Sequence, residues 1–556
     1  MHPGKVQSKS TGRSSSSDFR ITVILDSTRV SKYINDFCEW AISSSNIKLT
    51  ILFISSLDTR KNFEVKQKWL KRETVNYGFV LIKKIESHLL NLHKSNRDHF
   101  DDFDIYQSQD SAIFNSSDKI KYYERCDLEN YDHNSADLVV DFTSGGAPIE
   151  ILVRARLGGL IFQNPALSTE EKNWTGFKEV LNSMDLTTLE IWICNKQNPL
   201  GSMVVNQSIP TKHFFLLNQA ALFLRRNYHL RLIIKRLISE DSYPLIHGTI
   251  QSSENSNSSV TTFDQVNYLM RQAQRYIGRK TRNMRKRTRV TWNVGFYRGT
   301  WENLENVPYE RLLNPKGHFL ADPFVITTSK GTFCFLEDYD FGFRKGAIAC
   351  YQLDLDEPKR VGLVLDEDFH LSFPYIFEFE SKLYMCPETS EIGEIRLYEC
   401  IQFPSKWTYL KTIIPNVNAV DSMIFFYQDS WWLLTNIDPM GSDDFAAGLF
   451  LFSTDNPLLG KWVPHPENPV QADPRNTRNG GILYKTDEVY RVGQVKLFFE
   501  YGSSTRINKI TNINEIHYSE ECVGGYFPKS DFKILGSHHL HSNQNFTVFD
   551  FLQPNL

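Results

Sequence analysis

The chain has 556 residues, of which 41% are hydrophobic and 13% aromatic, and its formal net charge is −3. This length predicts two or three domains, and the near-neutral charge gives no signal for nucleic-acid binding. No apolar run reaches the 18 residues of a membrane span. Residues 1–19 are rich in Ser and lack the apolar core of a secretion signal, so we expect a disordered tail. The eight cysteines form no C-x-x-C pair, which favours free thiols in a reducing, cytoplasmic setting.

Residues 20–240 have the pattern of a Rossmann-type α/β domain. An apolar run at 20–26 is followed by a helical pattern at 31–44 and a second apolar run at 48–54. A strand, a helix and a strand at this spacing form a βαβ unit with parallel strands. The pattern continues with strands at 137–142, 159–162 and 189–194 and a helix at 148–157.

Four stretches of this domain, at 137–141, 150–165, 175–180 and 198–202, carry a family resemblance. They resemble the formyltransferase superfamily, which acts on methionyl-tRNA and on sugar nucleotides. The resemblance places the Asn, His and Asp of that family at Phe162, Asn164 and Asn198. Because no His is present to act as a general base, the resemblance implies a scaffold without chemistry rather than an active formyltransferase. The Gly pair at 144–146 is interpreted as a turn, with phosphate binding as the alternative.

Residues 241–289 are predicted to be a polar linker followed by a basic helix. The linker is rich in Ser and Asn, and the stretch 271–289 is rich in Arg and Lys. Such a helix is able to make peripheral contact with an anionic membrane or with nucleic acid. We favour a solvated connector, because no aromatic stripe accompanies the charge.

Residues 290–556 contain a repeated hairpin pattern. Four units each consist of an apolar run, a short polar turn and a second apolar run, and the first and last positions of every unit lie 15 residues apart. The first positions are Asp322, Phe373, Asp421 and Asn479, and the last are Glu337, Glu388, Asn436 and Gln494. Hairpins that recur at intervals of 51, 48 and 58 residues indicate the blades of a β-propeller.

A fifth blade is predicted from both ends of this region. The stretches at 538–542 and 546–550 form a hairpin pattern, and pairing of this hairpin with the strand near Trp292 would close the ring. The fold class is therefore multidomain, with an α/β domain followed by an all-β five-bladed propeller. In such a ring the first and last positions of the four units meet at one end of the central channel. Because many of them are carboxylates and amides, we predict a polar site there.

Six motifs of the propeller region carry a second resemblance: the stretches at 318–324, 369–375, 385–390, 420–423, 464–470 and 473–481. They resemble the N-terminal propeller region of glucosamine inositolphosphorylceramide transferases and of bacterial relatives. The propeller is also similar to five-bladed glycoside hydrolases of the arabinanase and fructosidase type. The glycosyltransferase domain of the plant proteins lies C-terminal to their propeller, so the resemblance does not by itself carry their activity to this sequence.

Glycosyl transfer requires a carboxylic acid and a carboxylate that acts as base or nucleophile. The resemblance to the hydrolases places the base at Asp322 and a second, orienting Asp at Asp421, and Glu388 is the candidate acid. Arg475 and Arg478 are candidates for bidentate contact with a carboxylate, a phosphate or sugar hydroxyls. The remaining candidate sugar contacts are Trp301, Tyr339, His370, Asn436, Asn479, Gln494 and His539. No spacing of His, Asp or Glu indicates a metal motif, and no cofactor is expected.

The same residues also have purely structural interpretations, as alternatives to a catalytic site. Asp322 precedes a Pro and is able to form a turn, Glu388 is able to pair with Arg396, and Arg478 is able to join two blades. The set taken together favours a ligand site, because clustered carboxylates are costly without a use. The predicted function is a carbohydrate-active enzyme whose ligand is a glycan or a sugar nucleotide. The alternatives are a non-catalytic glycan-binding scaffold and, less favoured, a sugar formyltransferase.

Overall fold

The protein is described here by a computed structural model. The described residues are 18–27, 29–55, 77–91, 102–104, 120–124, 136–143, 146–162, 173–240, 260–284, 290–303, 308–440, 444–496, 502–528 and 533–554. The chain divides into two compact units. The first comprises Met1–Asn182, Thr188–Asn206 and Lys212–Leu269, and the second comprises Ser183–Thr187, Gln207–Thr211 and Met270–Leu556.

The N-terminal region contains a seven-stranded sheet and helices. The strands of this region are β1 Phe19–Leu25, β2 Arg29–Ser31, β3 Ile47–Ser55, β4 Asp102–Asp104, β5 Ile120–Glu124, β6 Leu138–Asp141, β7 Gly159–Ile161, β8 Leu186–Cys194 and β9 Ser202–Pro210. The helices are α1 Lys32–Ser43, α2 Tyr77–Asn91, α3 Ile149–Arg154, α4 Phe177–Leu181, α5 Phe215–Glu240 and α6 Thr262–Met284.

The sheet has the order β5-β3-β1-β6-β7-β8-β9. The pairs β3–β5, β1–β3, β1–β6 and β6–β7 are parallel, and β7 pairs with β8 in the antiparallel sense. The buried β1 and β6 are mostly apolar, as expected of parallel strands that are covered on both faces. The predicted α/β character is thereby confirmed, although the helix expected at 148–157 ends at Arg154.

Two sequence predictions in this region fall partly on residues that are not described. Of the turn at 144–146 only Gly146 is described, and Asn164 lies outside the described residues. The basic stretch 271–289 begins within α6, but its residues beyond Met284 are not described. None of the described helices has the length and apolar character needed to span a membrane.

The second unit contains five four-stranded antiparallel sheets. Its strands are β10 Val290–Arg298, β11 Glu310–Arg311, β12 His318–Thr328, β13 Gly331–Asp340, β14 Lys345–Gln352, β15 Lys359–Leu365, β16 Ser372–Phe379, β17 Lys382–Glu388, β18 Glu394–Gln402, β19 Lys406–Pro415, β20 Ala419–Tyr427, β21 Ser430–Ile437, β22 Leu449–Thr454, β23 Val463–Pro464, β24 Asn479–Lys485, β25 Glu488–Val495, β26 Ser504–Ile513, β27 Tyr518–Tyr526, β28 Leu540–Ser542 and β29 Phe546–Pro554. Short 3₁₀ turns occur at Trp301–Asn303 and Ser390–Ile392.

These sheets are the blades of a five-bladed β-propeller, as predicted. Blades 1 to 4 consist of β12–β15, β16–β19, β20–β23 and β24–β27, and each follows the chain in order. Blade 5 has the order β11-β10-β29-β28 and therefore combines both ends of the region. Its two halves are joined by nine paired residues, from Val290 opposite Pro554 to Arg298 opposite Phe546. This closure leaves the ring without an open seam.

A bulge recurs at the start of the innermost strand of the first three blades. The pairing skips two residues after Ala321, Ser372 and Val420. The next residues, Asp322, Phe373 and Asp421, have φ values of 49°, 46° and 51°. A side chain in this left-handed conformation is strained and is held there by the surrounding sheet. The bulge thus directs these three side chains differently from the rest of the strand.

The fourth blade departs from this repeat. Asn479 is paired with Gly493, and the skipped residues are Gly480 and Gly481. Gly481 has a φ of +127°, so the positive φ falls on a glycine and not on Asn479. The alignment of Asn479 with Asp322, Phe373 and Asp421 therefore holds in sequence but not in backbone conformation.

Replacing Gly481 with Ala is expected to destabilise the propeller by more than about 1 kcal/mol. An added Cβ would lie 2.2 Å from the carbonyl oxygen of Leu540 in blade 5, in a backbone conformation that Ala disfavours. The measurement is urea-induced unfolding. The control is Gly524→Ala, because a Cβ at Gly524 has no atom within 4 Å. Equal stability of the two variants would contradict this close approach of blades 4 and 5.

Candidate active site in the propeller channel

The bulges and the paired second strands bring four carboxylates to one mouth of the channel. Asp322 and Asp421 occupy the bulges, and Glu337 and Glu388 lie opposite Ala321 and Ser372. Asp322, Glu337 and Asp421 are buried, with 7%, 6% and 2% exposure. We call this set, together with Arg478, His538 and Asp550, the carboxylate mouth.

Asp322 lies at the end of a chain of polar contacts from blade 5. The Asp550 carboxylate accepts hydrogen bonds from the backbone amides of His538 and His539, at 2.9 and 3.0 Å. Its other oxygen lies 2.5 Å from Nδ1 of His538, and Nε2 of His538 lies 3.5 Å from Asp322 Oδ1. Trp292 stacks on the His538 ring at 4.1 Å. The imidazole therefore bridges two buried carboxylates and is fixed in orientation.

The protonation of these groups reflects their burial and their charges. Burial raises the pKa of Asp322 to about 7; Asp550 and Asp421 also raise it, whereas His538 and Arg478 lower it. Burial lowers the pKa of His538, but the Asp550 and Asp322 carboxylates outweigh this effect, so the pKa is above its usual value. The two groups therefore influence each other's pKa: His538 lowers that of Asp322, and Asp322 raises that of His538.

Asp421 forms an ion pair that joins blade 3 to blade 4. Arg478 Nε donates to Asp421 Oδ2 at 2.6 Å. Gln494 Nε2 lies 3.4 Å from the same oxygen and donates to the carbonyl of Asn479 at 2.6 Å. The Arg478 side chain keeps 21% exposure. Arg478 therefore connects two blades and is not fully buried.

Glu388 and Glu337 form no ion pair with an Arg or Lys among the described residues. Burial and the neighbouring Asp421 raise the pKa of Glu388 to about 7, while Arg478 and a hydrogen bond from Ser390 Oγ at 2.9 Å lower it. Burial, followed by the charges of Asp322 and Glu388, raises the pKa of Glu337 well above its usual range. Arg396, the alternative partner of Glu388, instead donates to Glu394 at 2.6 Å.

Two predicted amide contacts, Asn436 and Asn479, are engaged between blades. Both side chains have no exposed surface. Asn436 Nδ2 donates to the carbonyl of Thr477 at 2.9 Å, and its Oδ1 accepts from the Asn479 amide at 2.7 Å. Asn479 Nδ2 donates to the carbonyl of Asp421 at 2.8 Å. These contacts hold blade 4 against blade 3 and fix the backbone of Asp421.

His370 and Tyr339 lie at the rim beside Glu337. His370 Nδ1 accepts from the Gly346 amide at 2.9 Å, and Nε2 lies 3.6 Å from Glu337 Oε1. Burial lowers the pKa of His370. Tyr339 stacks on Phe319 at 4.8 Å and lies 6.0 Å from the His370 ring. Both of these predicted residues therefore lie near Glu337 of the carboxylate mouth.

His539 is buried deeper in the channel. It has no exposed surface, and neither ring nitrogen has a hydrogen-bond partner. Its ring contacts Phe324 and Phe373 edge-on at 4.5 and 5.2 Å, and Nδ1 lies 3.9 Å from Asp322 Oδ1. Burial and the neighbouring His541 lower its pKa well below the usual value, so the imidazole of His539 is uncharged at neutral pH.

The contacts given below for Arg475 and Trp301 are with residues outside the carboxylate mouth. The Arg475 guanidinium is held by Asp473, with distances of 3.0, 3.2 and 2.8 Å. Trp301 Nε1 donates to the carbonyl of Tyr484, at the turn end of blade 4. Trp301 lines a cavity of about 690 Å³ formed by the turn ends of the innermost strands, with Tyr375, Phe377, Trp431 and Tyr484 among its walls. This cavity is at the opposite mouth of the channel.

The described residues contain one group with the donor set of a metal site: Asp322, His538 and Asp550, whose ligand atoms lie within 4.8 Å of one another. Nδ1 of His538 is already in contact with Asp550, and Asp550 accepts two backbone amides. The three residues therefore form a polar relay, in which His538 lies between the carboxylates of Asp550 and Asp322.

His538 and Asp550 are site residues that the repeat pattern does not reveal. They come from blade 5, which lies outside the four aligned units. The available signal is the run of His residues at 538–541 followed by an Asp in the paired strand.

The comparisons with known proteins concern the propeller. Residues 311–534 match the family model described as glucosamine inositolphosphorylceramide transferase 1, N-terminal. The protein of that name from Arabidopsis thaliana is 35% identical over 216 residues, which cover 36% of this chain and 27% of the relative. Its counterpart from Oryza sativa subsp. japonica is 32% identical over 209 residues, covering 36% and 28%. The match thus spans about a quarter of the curated relatives.

Solved glycoside hydrolases show weaker similarity. The family 117 enzyme Zg3597 of Zobellia galactanivorans is 12% identical, with a TM-score of 0.31, over 47% of this chain and 90% of its own. An α-L-arabinofuranosidase from Lactobacillus brevis is 14% identical, with a TM-score of 0.30, over 41% and 80%. Similarity at this level carries no argument about function. Residues 311–534, which contain blades 1 to 4 of the propeller, match the transferase family model.

Proposed function

We propose that the propeller is a carbohydrate-active enzyme that transfers or hydrolyses a glycosyl group at the carboxylate mouth. One observation supports this proposal. The same mouth holds two carboxyls whose pKa is raised to about 7, Asp322 and Glu388, and a third, Asp421, that is ion-paired with Arg478. A carboxyl that titrates near neutral pH is suited to donate or accept a proton during glycosyl transfer.

The proposed roles follow from these contacts. Glu388, in its protonated form, donates a proton to the leaving oxygen as the bond from this oxygen to the anomeric carbon breaks. Asp322, in its ionised form, accepts the proton of the incoming hydroxyl or water as the new bond forms, and His538 shares this proton. Asp421, oriented by Arg478, stabilises the positive charge at the anomeric carbon. His370 and Tyr339 contact the sugar at the rim.

The names of the curated relatives add support for the ligand class. They are glucosamine inositolphosphorylceramide transferases, and the family match at residues 311–534 includes Asp322, Glu388 and Arg478 of the carboxylate mouth. A glucosamine-containing glycoside or sugar nucleotide is therefore the first ligand to test.

A non-catalytic glycan-binding role is the second candidate. It is favoured by the low exposure of Asp322 and Asp421 and by the use of Arg478, Asn436 and Asn479 to hold blades together. In that case the carboxylates serve the architecture of the channel, and a glycan binds at its rim without turnover.

The test is a screen of the full chain against aryl glycosides and sugar nucleotides, beside the double variant Asp322→Asn/Glu388→Gln. The matched control is Glu378→Gln, since Glu378 lines the cavity at the opposite mouth. Turnover in the wild type and in the control, but not in the double variant, is the expected result. Glycan binding without turnover in all three proteins would contradict the enzyme proposal and favour the glycan-binding role.

The raised carboxyl pKa values also predict a pH dependence of stability that needs no substrate. Asp322 and Glu388 bind protons more tightly in the folded than in the unfolded chain, so folding is favoured at low pH. Stability is lost as the pH rises from about 4 through about 7, and each pKa unit is worth about 1.4 kcal/mol. We expect Glu388→Gln to reduce this loss. Urea unfolding of the wild type and the variant at pH 5 and pH 8 measures this loss of stability. The same pH dependence in both proteins would contradict a raised pKa of Glu388.

For the N-terminal domain, we propose a formyltransferase-like scaffold without formyl-transfer chemistry. Phe162 replaces a polar family residue and stacks on Phe142 at 4.9 Å. Asn198 bonds within its own turn, where Nδ2 donates to the carbonyl of Gly201 at 3.0 Å. An assay for formyl transfer to an amino-sugar nucleotide is expected to show none, and transfer by the purified chain would contradict the proposal.

A further inference from the structure

A buried arginine lies at the carboxyl edge of the N-terminal sheet. Arg226, on α5, is only 7% exposed. Its guanidinium carbon lies 5.7 Å from the ring centre of Phe162 and 5.5 Å from that of Phe223. Phe162 directly follows β7, and its stacking partner Phe142 directly follows the parallel strand β6. The guanidinium thus lies beside the carboxyl ends of two neighbouring parallel strands.

The strand order of the sheet reverses between β1 and β6, the strand that directly precedes Phe142. The chain runs outward from β1 through β3 to β5 and then returns to β6 on the other side of β1. In open parallel sheets such a reversal leaves a crevice at the carboxyl ends of the strands, and ligands bind there.

Arg226 has no polar partner among the residues that the structure describes. It makes no ion pair with them, and its Nε, which is shielded from water, donates a hydrogen bond to none of their oxygens. The carboxylate that influences it most, Glu190, instead accepts a hydrogen bond from Trp192 Nε1 at 2.8 Å. Burial lowers the pKa of Arg226 to about 10, so the group remains charged at neutral pH.

A second buried group one turn along α5 shares this property. His229 has no exposed surface, and both of its ring nitrogens are without hydrogen-bond partners. Residues three apart on a helix lie on the same side. By contrast, Arg231 on the same helix donates from Nη2 to the carbonyl of Asp36 at 3.1 Å.

We propose that Arg226 anchors an oxyanion, a phosphate or a carboxylate group, at the carboxyl edge of the N-terminal sheet. A buried cation without a partner is unfavourable for folding, and a guanidinium presents paired donors that match the two oxygens of a phosphate or carboxylate. The aromatic rings of Phe162 and Phe223 hold the planar group in place. This site is independent of the propeller function.

The experiment measures the thermal unfolding of the full chain in sodium phosphate, in sodium acetate and in sodium chloride at equal ionic strength. Three proteins are compared: the wild type, Arg226→Met and Arg231→Met. Methionine keeps much of the side-chain volume and removes the charge. Phosphate or acetate at about ten times its Kd should raise the Tm of the wild type and of Arg231→Met by about 3 °C relative to chloride. The shift should be absent in Arg226→Met.

In chloride alone, Arg226→Met is expected to unfold at the same or a higher temperature than the wild type, because it removes a buried, unpartnered charge. A larger shift in phosphate than in acetate would assign the ligand group as phosphate, and the reverse would assign a carboxylate. The proposal is overturned if neither anion raises the Tm of the wild type. It is also overturned if Arg226→Met keeps the shift or lowers the Tm in chloride, since the cation would then be structural.

Discussion

Replacing Arg491 with Met is expected to lower the free energy of unfolding of the propeller by about 3–5 kcal/mol. Arg491 has no exposed side-chain surface, and its partner Glu520 keeps 4%. Nε and Nη2 of Arg491 donate to the two oxygens of Glu520, at 2.7 and 2.6 Å. Nη2 also donates to the carbonyl of Asn476 at 2.6 Å. Loss of the arginine leaves the Glu520 carboxylate buried in blade 4 without a cation.

The control for this variant is Lys509→Met, which removes an ion pair with Glu488 in the same blade. Those two side chains are 36% and 43% exposed, so their pair should contribute no more than about 1 kcal/mol. The double variant Arg491→Met/Glu520→Leu should recover much of the lost stability, because it removes both charges. Urea unfolding of the four proteins gives the comparison. Equal losses in the Arg491 and Lys509 variants would contradict the buried pair.

The second large effect concerns catalysis. Replacing Glu388 with Gln is expected to lower kcat for a glycoside substrate by about 10²–10⁴. The amide keeps the shape of the side chain and its hydrogen bond with Ser390 but has no proton to donate to the leaving oxygen. The loss should be smaller for an aryl glycoside whose phenol leaves without protonation.

The pH dependence of kcat/KM independently tests the proposed roles of Glu388 as the acid and Asp322 as the base. The acid Glu388 is effective below about pH 7 and the base Asp322 above about pH 7, so the wild-type profile should be a narrow bell centred near neutral pH. The Glu378→Gln control should keep both the rate and the bell. A Glu388→Gln loss that does not depend on the leaving group would show that Glu388 is not the acid.

The architecture of the propeller follows from the sequence because its hairpins repeat. Each unit has two apolar runs around a polar turn, and this pattern identifies a blade without knowledge of its neighbours. Closure by blade 5 was also predictable, since the strand near Trp292 needs a partner and the hairpin at 538–550 has none within its own unit. The predicted place of Asp322, Glu388 and Asp421 rests on this regularity.

The parts that the sequence does not reveal depend on single interactions between blades. The bulge of blade 4 falls on the glycines at 480 and 481, and its positive φ falls on Gly481, whereas the other units place a positive φ on Asp or Phe. The Asp550–His538–Asp322 relay joins residues more than 200 positions apart. Nothing in the pattern of β25 distinguishes Arg491 from an exposed strand residue. Burial, which decides these cases, is a property of the closed ring.

The measurement that tests the central proposal most directly is a crystal structure of the Asp322→Asn/Glu388→Gln variant with an intact glycoside from the screen. The proposal predicts a sugar in the carboxylate mouth, with its anomeric carbon beside residues 322 and 388 and its hydroxyls in contact with Arg478 and His370. A sugar bound only in the cavity at the opposite mouth, against Trp301 and Trp431, would contradict it.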